Sequence, residues 1–270
     1  MSSTPSDAGF AGGIPQFYER YMVPLIFVPY AHDLAERAVA RQPASVLEIA
    51  AGTGVVTREL ARRLHPSKTI VATDLNAGMI DHAAGLPIDR PVHWRVADAM
   101  ALPFDDGSFD LVVCQFGVMF FPDKARAFAE ARRVLRPGGA FLFNAWDVIE
   151  ENDFASVVTD TLGAMFPQDP PRFLARTPHG YHSTSRIAED LVAGGFHRPA
   201  EFESVAATSR ASAHDAAIAF CHGTPLRNEI EARGDGLLAE ATERATRALA
   251  ARFGEGLIEG RIRANVVLVT

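Results

Sequence analysis

The chain reads Val46-Leu47-Glu48-Ile49-Ala50-Ala51-Gly52-Thr53-Gly54 at the position that decides its fold. The first four residues form a short aliphatic run typical of a buried strand, and the spacing of Val56, Leu60 and Leu64 predicts a helix that begins near Val55. A glycine turn between a strand and a helix allows backbone N–H groups and the helix dipole to receive a ligand. The stretch therefore predicts a ligand-binding strand–turn–helix unit of an α/β protein.

Strand-like runs and helical windows alternate around this stretch. Residues 45–146 show the pattern of a parallel sheet wrapped by helices. Asn76 is the predicted N-cap of the helix that carries Met79, and Pro137-Gly138-Gly139 is predicted to end a later helix before a strand. Two or three Ala-rich helices in residues 212–253 separate the last two strands, as an insertion would. The seven predicted strands are residues 46–49, 69–73, 92–96, 109–114, 140–146, 201–208 and 262–269.

Composition narrows the class of protein. The 270 residues are 48% hydrophobic, and 26 basic against 33 acidic side chains give a net charge of −7, which would repel a nucleic-acid backbone. The most apolar stretch, residues 109–122, is too short to span a bilayer as a helix, and the first thirteen residues lack the features of a secretion signal. Cys114 and Cys221 are too few for an iron–sulfur motif and are expected to be buried. We expect a cytoplasmic protein with no membrane span that binds no nucleic acid.

The glycine turn departs from the fingerprint of nicotinamide-binding proteins. That fingerprint requires Gly-x-Gly-x-x-Gly, and when Gly52 and Gly54 occupy its first two glycine positions, Thr57 stands at the third. Ala50 occupies the slot before them. The sequence therefore disfavours a nicotinamide-dependent oxidoreductase, which remains an alternative.

Three carboxylates near the predicted strand ends are candidate ligand-binding groups. Asp74 ends the second strand about twenty residues after the glycine turn, where a carboxylate can accept hydrogen bonds from both ribose hydroxyls of a nucleoside. Asp98 follows the third strand and either accepts from an exocyclic amine or forms a turn. Glu48 lies inside an apolar strand, so it requires a hydrogen-bonding partner or a functional reason.

Four blocks together resemble the class I S-adenosylmethionine-dependent methyltransferases, in particular the subgroup similar to the ubiquinone/menaquinone biosynthesis methyltransferases. The one departure is Ala50, where the family usually has glycine. The resemblance implies an α/β fold with a Rossmann-like, seven-stranded, mostly parallel sheet, helices on both faces, and N-terminal and inserted helices that form a lid. The four blocks are residues 46–54, Thr73-Asp74-Leu75 with Met79, residues 98–104 running into Phe109-Asp110, and residues 134–139.

The resemblance also implies a cofactor, S-adenosylmethionine, with S-adenosylhomocysteine as product. The glycine turn would pass its methionine part, Glu48 would reach its amino group through water, and Asp74 would hold the ribose. Tyr18 and Tyr21 would face the sulfonium cation, or else are core residues of the lid. The implied cofactor contacts are Tyr18, Tyr21, Glu48, Ala50, Gly52, Thr53, Gly54, Asp74, Leu75, Met79, Asp98, Ala99, Met100, Gln115 and Phe116.

Methyl transfer from a sulfonium is an in-line displacement, so the enzyme mainly orients the acceptor and excludes water. A general base is optional, and the candidates are His32, Asp147, His179 and His182. We expect no metal site, because His179 and His182 lack a third ligand nearby in the sequence. An apolar wall after the fourth strand predicts a partly apolar acceptor; it consists of Phe116, Val118, Met119, Phe120 and Phe121.

The sequence thus predicts a methyltransferase for a small, partly apolar molecule; a non-catalytic nucleoside-binding module is the other alternative. Residues 1–15 are predicted to be a disordered leader, and residues 16–270 are predicted to be a single methyltransferase domain. Its cofactor-binding core is residues 43–148, its acceptor and lid region residues 16–42 and 149–260, and its final strand residues 261–270. A homodimer is consistent with this organisation.

Overall fold

A computed structural model describes residues 9–10 and 12–270. The described chain begins with helix α1 (Ile14–Phe17), continues through a wide π-helical turn (Tyr18–Phe27), and enters helix α2 (Val28–Ala40). Most of the predicted leader, residues 1–8 and 11, lies outside the described residues. Ile14 and Pro15, at the end of that predicted leader, belong to α1 and are buried.

Seven strands form one sheet, as the sequence predicts. The strand order is β3-β2-β1-β4-β5-β7-β6. Strands β1 to β5 are parallel, whereas β7 runs antiparallel to both β5 and β6. The strands are β1 (Ser45–Ile49), β2 (Thr69–Asp74), β3 (His93–Val96), β4 (Phe109–Gln115), β5 (Leu135–Trp146), β6 (Glu201–Ser212) and β7 (Leu257–Val269).

Helices cover both faces of the sheet because successive strand residues point to opposite sides. Val46 packs with Leu34 and Leu60 in one hydrophobic cluster, which α2 and α3 cover. Leu47, one residue later, belongs to the larger cluster on the other face, together with Phe128 of α5. The helices that follow α2 are α3 (Val55–Arg63), α4 (Ala77–Ala84), α5 (Lys124–Val134), α6 (Asp153–Met165), α7 (Phe173–Arg176), α8 (Thr184–Ala193), α9 (Ala213–His222), α10 (Leu226–Glu231) and α11 (Leu237–Phe253).

The inserted helices meet the N-terminal helices above the carboxyl end of the sheet. Helix α9 contacts both α1 and the π-helical turn, and α11 packs on α6 and α9. The insertion between β6 and β7 and the start of the chain therefore form one lid, as the sequence predicts. Two 3₁₀ turns, Val118–Phe120 and Ile149–Glu151, follow β4 and β5.

Strand β5 begins earlier than predicted. Leu135 pairs with Phe109 and Ala140 with Leu111, and the register shifts between these two pairs. Residues 136–139 form the irregular part of the strand, where Gly138 adopts a positive φ of 81°. The Pro-Gly-Gly sequence therefore produces a bulge inside β5, whereas we expected it to separate a helix from the strand.

Candidate functional site

The carboxyl ends of β1, β2 and β4 surround a cavity of about 400 Å³. Open α/β sheets bind ligands at this edge, where the strand order reverses. We call it the strand-end cavity. Its wall is formed by Phe10, Tyr18, Ile49, Ala50, Gly52, Asp74, Leu75, Asn76, Met79, Ala97, Asp98, Ala99, Met100, Gln115, Phe116, Gly117, Phe120, Phe121 and Pro122.

The glycine turn is built from left-handed backbone. Ala50, Gly52 and Gly54 have φ values of 54°, 56° and 83°. Gly54 is the N-cap residue of α3, and a Cβ there would lie 2.8 Å from the Trp94 ring. Gly52 lies on the cavity wall. Since the turn needs three left-handed residues, glycine suits positions 52 and 54, while Ala50 adopts a conformation that costs an L-residue energy.

Asp74 is held rigidly on the cavity wall. One carboxylate oxygen accepts a hydrogen bond from the backbone N–H of Gly52 at 2.9 Å, and the other accepts from the backbone N–H of Asn76 at 2.8 Å. Burial raises the pKa of Asp74, and these N–H donors act in the opposite direction by favouring the charged form. Each oxygen keeps further acceptor capacity, so the carboxylate can also accept hydrogen bonds from a diol.

Asn76 caps α4 differently from the prediction. It occupies the N-cap position, but its side chain makes no capping hydrogen bond. Its amide nitrogen lies 3.4 Å from Asp74, whose carboxylate binds the Asn76 backbone N–H. Asn76 therefore supports Asp74, and it lies on the cavity wall itself.

Asp98 forms a turn, which is one of the two roles that the sequence left open. Its carboxylate accepts from the Met100 backbone N–H at 2.8 Å, and its carbonyl accepts from the Ala101 N–H at 3.0 Å, so it forms a turn. It also lies on the cavity wall beside Ala99 and Met100. The turn holds the Asp98 carboxylate at a position where it can still accept a hydrogen bond from an amine.

Glu48 lies behind the glycine turn, and its side chain is buried. The Thr57 hydroxyl donates a hydrogen bond of 2.5 Å to its carboxylate. Burial raises the pKa of Glu48 to about 8, against the opposing effects of Thr57 and Arg58. The partner that the buried carboxylate required is therefore Thr57, the residue at the third fingerprint position.

Tyr18 and Tyr21 differ in position. Tyr18 lies on the cavity wall, with its hydroxyl 3.5 Å from the place where a Cβ of Gly52 would be, and it stacks on Phe27. Tyr21 is not on the wall; its ring stacks on Phe17 at 6.1 Å. The π-helical turn brings Tyr18 over the glycine turn and directs Tyr21 toward α1.

Eleven of the fifteen predicted cofactor residues line the cavity. The four that do not line it are Tyr21, Glu48, Thr53 and Gly54; the last three shape the turn from behind. The wall also contains residues that we did not predict as cofactor contacts. Phe120 and Phe121 appear in the predicted apolar wall, but nothing in the local pattern indicates the remaining ones: Phe10, Ile49, Asn76, Ala97, Gly117 and Pro122.

Phe116 directly follows β4 and lies on the cavity wall. It has a positive φ of 50°, and its backbone N–H donates to the Asn144 side-chain oxygen at 2.9 Å. Its ring stacks on Trp146 with 3.7 Å between centroids. The preceding Gln115 lies on the wall with a buried side-chain oxygen that has no partner in the described part of the chain. This edge of the cavity therefore offers an unused hydrogen-bond acceptor.

A second, smaller cavity of about 60 Å³ adjoins the first, and we call it the inner cavity. Phe10, Tyr18, Phe116 and Phe120 line both cavities. Three of the five predicted wall residues, Phe116, Phe120 and Phe121, line the strand-end cavity. Val118 and Met119 are core residues that line neither cavity.

The four candidate bases occupy different surroundings. His179 lines the inner cavity. His32 is half exposed and lies 3.3 Å from Glu59, away from both cavities. Asp147 binds Arg263 at 2.7 Å. Neither Asp147 nor His182 lies on a cavity wall, and the His182 ring bonds the His179 carbonyl at 2.9 Å. Only His179 is therefore placed to meet a ligand.

Among residues 9–10 and 12–270, no group of three or more His, Cys, Asp or Glu side chains is arranged to hold a metal ion. Within the same residues, no helix has the length and hydropathy needed to cross a membrane.

Comparisons with known proteins agree with this geometry. The family described as "Methyltransferase domain" matches residues 47–143. The ubiquinone/menaquinone biosynthesis C-methyltransferase UbiE of Saccharophagus degradans is 30% identical over 199 residues, which are 69% of this chain and 75% of the relative. UbiE of Hahella chejuensis is 40% identical over 111 residues, 40% of this chain and 45% of the relative. For most of the curated relatives, the match spans less than half of their length.

Solved structures show the same fold. YcgJ from Bacillus subtilis superimposes with a TM-score of 0.55 at 18% identity, over 89% of this chain and 97% of the other. A putative methyltransferase from Bacillus halodurans gives 0.54 at 20% identity, over 88% and 97%. The [4+2]-cyclase SpnF gives 0.53 at 19% identity, over 90% and 80%. With the strand order and the sequence relatives, these matches show that the chain belongs to the class I S-adenosylmethionine-dependent methyltransferases and is similar to UbiE.

Proposed function

We propose that the protein transfers the methyl group of S-adenosylmethionine to a small, partly apolar acceptor. The observation that carries the proposal is Asp74, whose two oxygens are each fixed by a backbone N–H on the wall of a 400 Å³ cavity beside the glycine turn. A carboxylate held in this way is suited to the ribose diol of a nucleoside.

The residues present fit this cofactor along the whole strand-end cavity. Leu75, Met79 and Ala99 offer apolar surface for adenine, and Asp98 offers an acceptor for its amine. At the opposite end, the unpartnered Gln115 oxygen suits the ammonium group of the methionine part. When bound, the cofactor supplies an electrophilic methyl group on a positively charged sulfur.

The chain's own contribution is placement and exclusion of water. Tyr18 lies over the glycine turn, and its electron-rich ring would favour a cationic sulfur bound beside it. Phe116 and Phe120 lie where the two cavities join and would shield the reacting atoms from solvent. These positions support in-line transfer without a charged base at the junction.

We propose that one edge of the acceptor enters the inner cavity. Aromatic and aliphatic side chains form most of its wall, which favours an apolar molecule. The UbiE relatives are named C-methyltransferases of ubiquinone/menaquinone biosynthesis. By analogy, we propose that the first class of acceptor to test is a quinone-type ring that is methylated at a carbon atom.

We also make proposals about the partners and the location of the protein. The net charge of −7 supports a protein that does not bind nucleic acid. We propose that the protein is cytoplasmic, which cell fractionation tests. We also propose that it forms a homodimer, which light scattering tests. The match to SpnF shows that this fold also occurs in a protein named as a [4+2]-cyclase, so the fold alone does not carry the proposal.

The test is calorimetric titration of the protein with S-adenosylmethionine, S-adenosylhomocysteine and NADH. We expect both sulfur nucleosides to bind and NADH not to bind. Asp74→Ala should weaken nucleoside binding roughly ten- to hundredfold, because it removes charge-assisted hydrogen bonds worth about 1.5–3 kcal/mol. Asp89→Ala, at an exposed carboxylate, is the matched control.

Turnover is then measured with the radiolabelled cofactor and a panel of hydroquinones, naphthohydroquinones and phenols. A labelled, extractable product supports methyl transfer. Binding of NADH alone would overturn the cofactor assignment. Tight binding of both sulfur nucleosides, with no product across the panel, would favour the non-catalytic binding module.

A further inference from the structure

The inner cavity contains one basic side chain among its described wall residues, His179. Two other polar wall residues, Asn152 and Thr224, are satisfied within the protein. Asn152 bonds the carbonyls of Val148 and Arg263, and the Thr224 hydroxyl bonds the Phe220 carbonyl. The cavity is otherwise aromatic and aliphatic, so a polar atom of His179 is conspicuous in it.

The backbone fixes the tautomer of this imidazole. Nδ1 lies 2.9 Å from the carbonyl oxygen of Asp147. A carbonyl only accepts hydrogen bonds, so Nδ1 carries the proton and Nε2 keeps its lone pair. Nε2 makes no hydrogen bond with any described residue, although the side chain is only 6% exposed. Because His179 lines the inner cavity, an acceptor that no described protein group occupies can take a hydrogen bond from a ligand donor.

The turn that carries His179 is tightly constrained. The His179 backbone N–H donates to the Leu174 carbonyl at 3.0 Å. At Gly180, a Cβ would overlap the Arg176 carbonyl oxygen, so that close approach requires glycine. The ring lies 6.0 Å from Trp146, which in turn stacks on Phe116 at the junction of the cavities. The imidazole is therefore positioned before any ligand binds.

Burial keeps the imidazole ring of His179 neutral. Burial lowers the pKa of His179 to about 4, and His182 acts in the same direction. The Asp147 carbonyl and the carboxylates of Glu150 and Asp147 oppose this effect only in part. At neutral pH the ring therefore retains the lone pair on Nε2 and acts as an acceptor of hydrogen bonds.

We infer that the inner cavity is the acceptor subsite and that Nε2 of His179 selects acceptors that present a neutral O–H or N–H donor. This inference rests on the proposed function. The cavity of about 60 Å³ is smaller than the roughly 150 Å³ that holds benzene in an engineered protein. The donor edge of the acceptor therefore enters the inner cavity, while the rest of its ring occupies the junction lined by Phe116 and Phe120.

The probes are phenol and toluene, which have nearly the same shape and differ by one hydrogen-bond donor. Each is titrated by calorimetry into the full chain loaded with S-adenosylhomocysteine. We expect phenol to bind about tenfold more tightly than toluene, since toluene leaves Nε2 unpaired. His179→Leu should abolish or reverse this preference, and His197→Leu, at an exposed histidine, should preserve it.

A spectroscopic measurement separates this role from a structural one. In ¹⁵N-labelled protein, phenol should shift the Nε2 resonance of His179, and toluene should leave it in place. Equal binding of the two probes, or an unmoved Nε2 resonance with phenol bound, would overturn the inference. If S-adenosylhomocysteine itself fails to bind, the proposed function fails; if it binds and the probes are not distinguished, only the role of His179 fails.

Discussion

Ala50 is an alanine with the backbone conformation of a glycine. Its φ of 54° lies in the left-handed region, which costs an L-residue about 1–2 kcal/mol. We expect Ala50→Gly to leave the free energy of unfolding unchanged or to raise it by up to about 1 kcal/mol, because relief of this cost offsets the added freedom of the unfolded chain. Urea denaturation measures the difference.

Ala51→Gly is the matched control for this substitution. Ala51 is buried, and its φ is not positive. Glycine there should lower the free energy of unfolding by about 1 kcal/mol, because it adds unfolded-state freedom with no strain to relieve. If Ala50→Gly destabilised the protein as much as Ala51→Gly does, the strain assigned to Ala50 would be wrong.

Glu48 makes stability depend on pH. Its pKa of about 8 in the folded chain exceeds its ordinary value of 4.5. Between these values the folded protein retains a proton that the unfolded chain has released, so stability is highest at low pH and declines as pH rises through this window. Glu48→Gln should remove this contribution to the decline, and at pH 8.5 it should be more stable than the original protein by up to about 4–5 kcal/mol.

Urea unfolding at pH 5 and pH 8.5 measures this effect. The advantage of Glu48→Gln should shrink at pH 5, where the carboxyl is mostly protonated in the folded protein and partly so in the unfolded chain. Glu255→Gln, at an exposed position, should show little difference at either pH. An equal effect of Glu48→Gln at both pH values would contradict a buried carboxyl with a raised pKa.

Single residues show what the sequence can predict about the site and what it cannot. Asp74 was predictable because its place at a strand end follows from local pattern. The sequence did not separate Tyr18 from Tyr21, because an α-helix and a π-helix direct residues three apart differently. The position of His179 on the cavity wall depends on contacts between its turn and the end of β5, which lies about thirty residues earlier in the sequence. No local periodicity encodes such a contact.

At the scale of elements, an ion pair connects the N-terminal π-helical turn to α3. Glu19 and Arg58 lie 2.7 Å apart with only 22% and 25% of their side chains exposed, and Arg58 also donates to the Thr53 carbonyl. The pair thus joins the lid to the glycine turn. Glu19→Gln should increase amide exchange in residues 18–27 about fivefold, as expected if a partly buried pair contributes about 1 kcal/mol.

Hydrogen exchange followed by mass spectrometry measures this change. Glu240→Gln is the control, because its pair with Arg244 is exposed on one helix and should matter little. Exchange in residues 18–27 that is unchanged by Glu19→Gln would mean that hydrophobic packing alone holds the lid. Exchange that rises across the whole chain would indicate global destabilisation instead of a local release.

Elements with strong periodicity were predictable, and those that depend on tertiary pairing were not. The stripe Val56, Leu60 and Leu64 predicted α3 correctly except at its end: all three side chains are buried, but Leu64 is the C-cap residue and not part of the helix. The predicted start of β5 at residue 140 was wrong, because pairing with Phe109 extends the strand back to Leu135 across a Pro-Gly-Gly bulge. Local sequence marks that bulge as a break, whereas the neighbouring strand makes it part of the sheet.

At the scale of the whole molecule, the cofactor should stabilise the sheet and the lid together. Tyr18 of the lid and Asp74 of the sheet lie on the wall of the same cavity, so a ligand that contacts both binds only the folded chain. At a concentration one hundred times its Kd, S-adenosylhomocysteine should add about 2.7 kcal/mol, which corresponds to a rise in Tm of about 5 °C for a chain of this length.

Differential scanning calorimetry measures this shift, and three comparisons decide its meaning. NADH should leave the Tm unchanged, Asp74→Ala should lose most of the shift, and Asp89→Ala should retain it. The amide exchange of residues 18–27 should slow on binding, because Tyr18 gains a contact. A Tm shift without slower exchange there would mean that the cofactor stabilises the sheet alone and that the lid closes only when the acceptor binds.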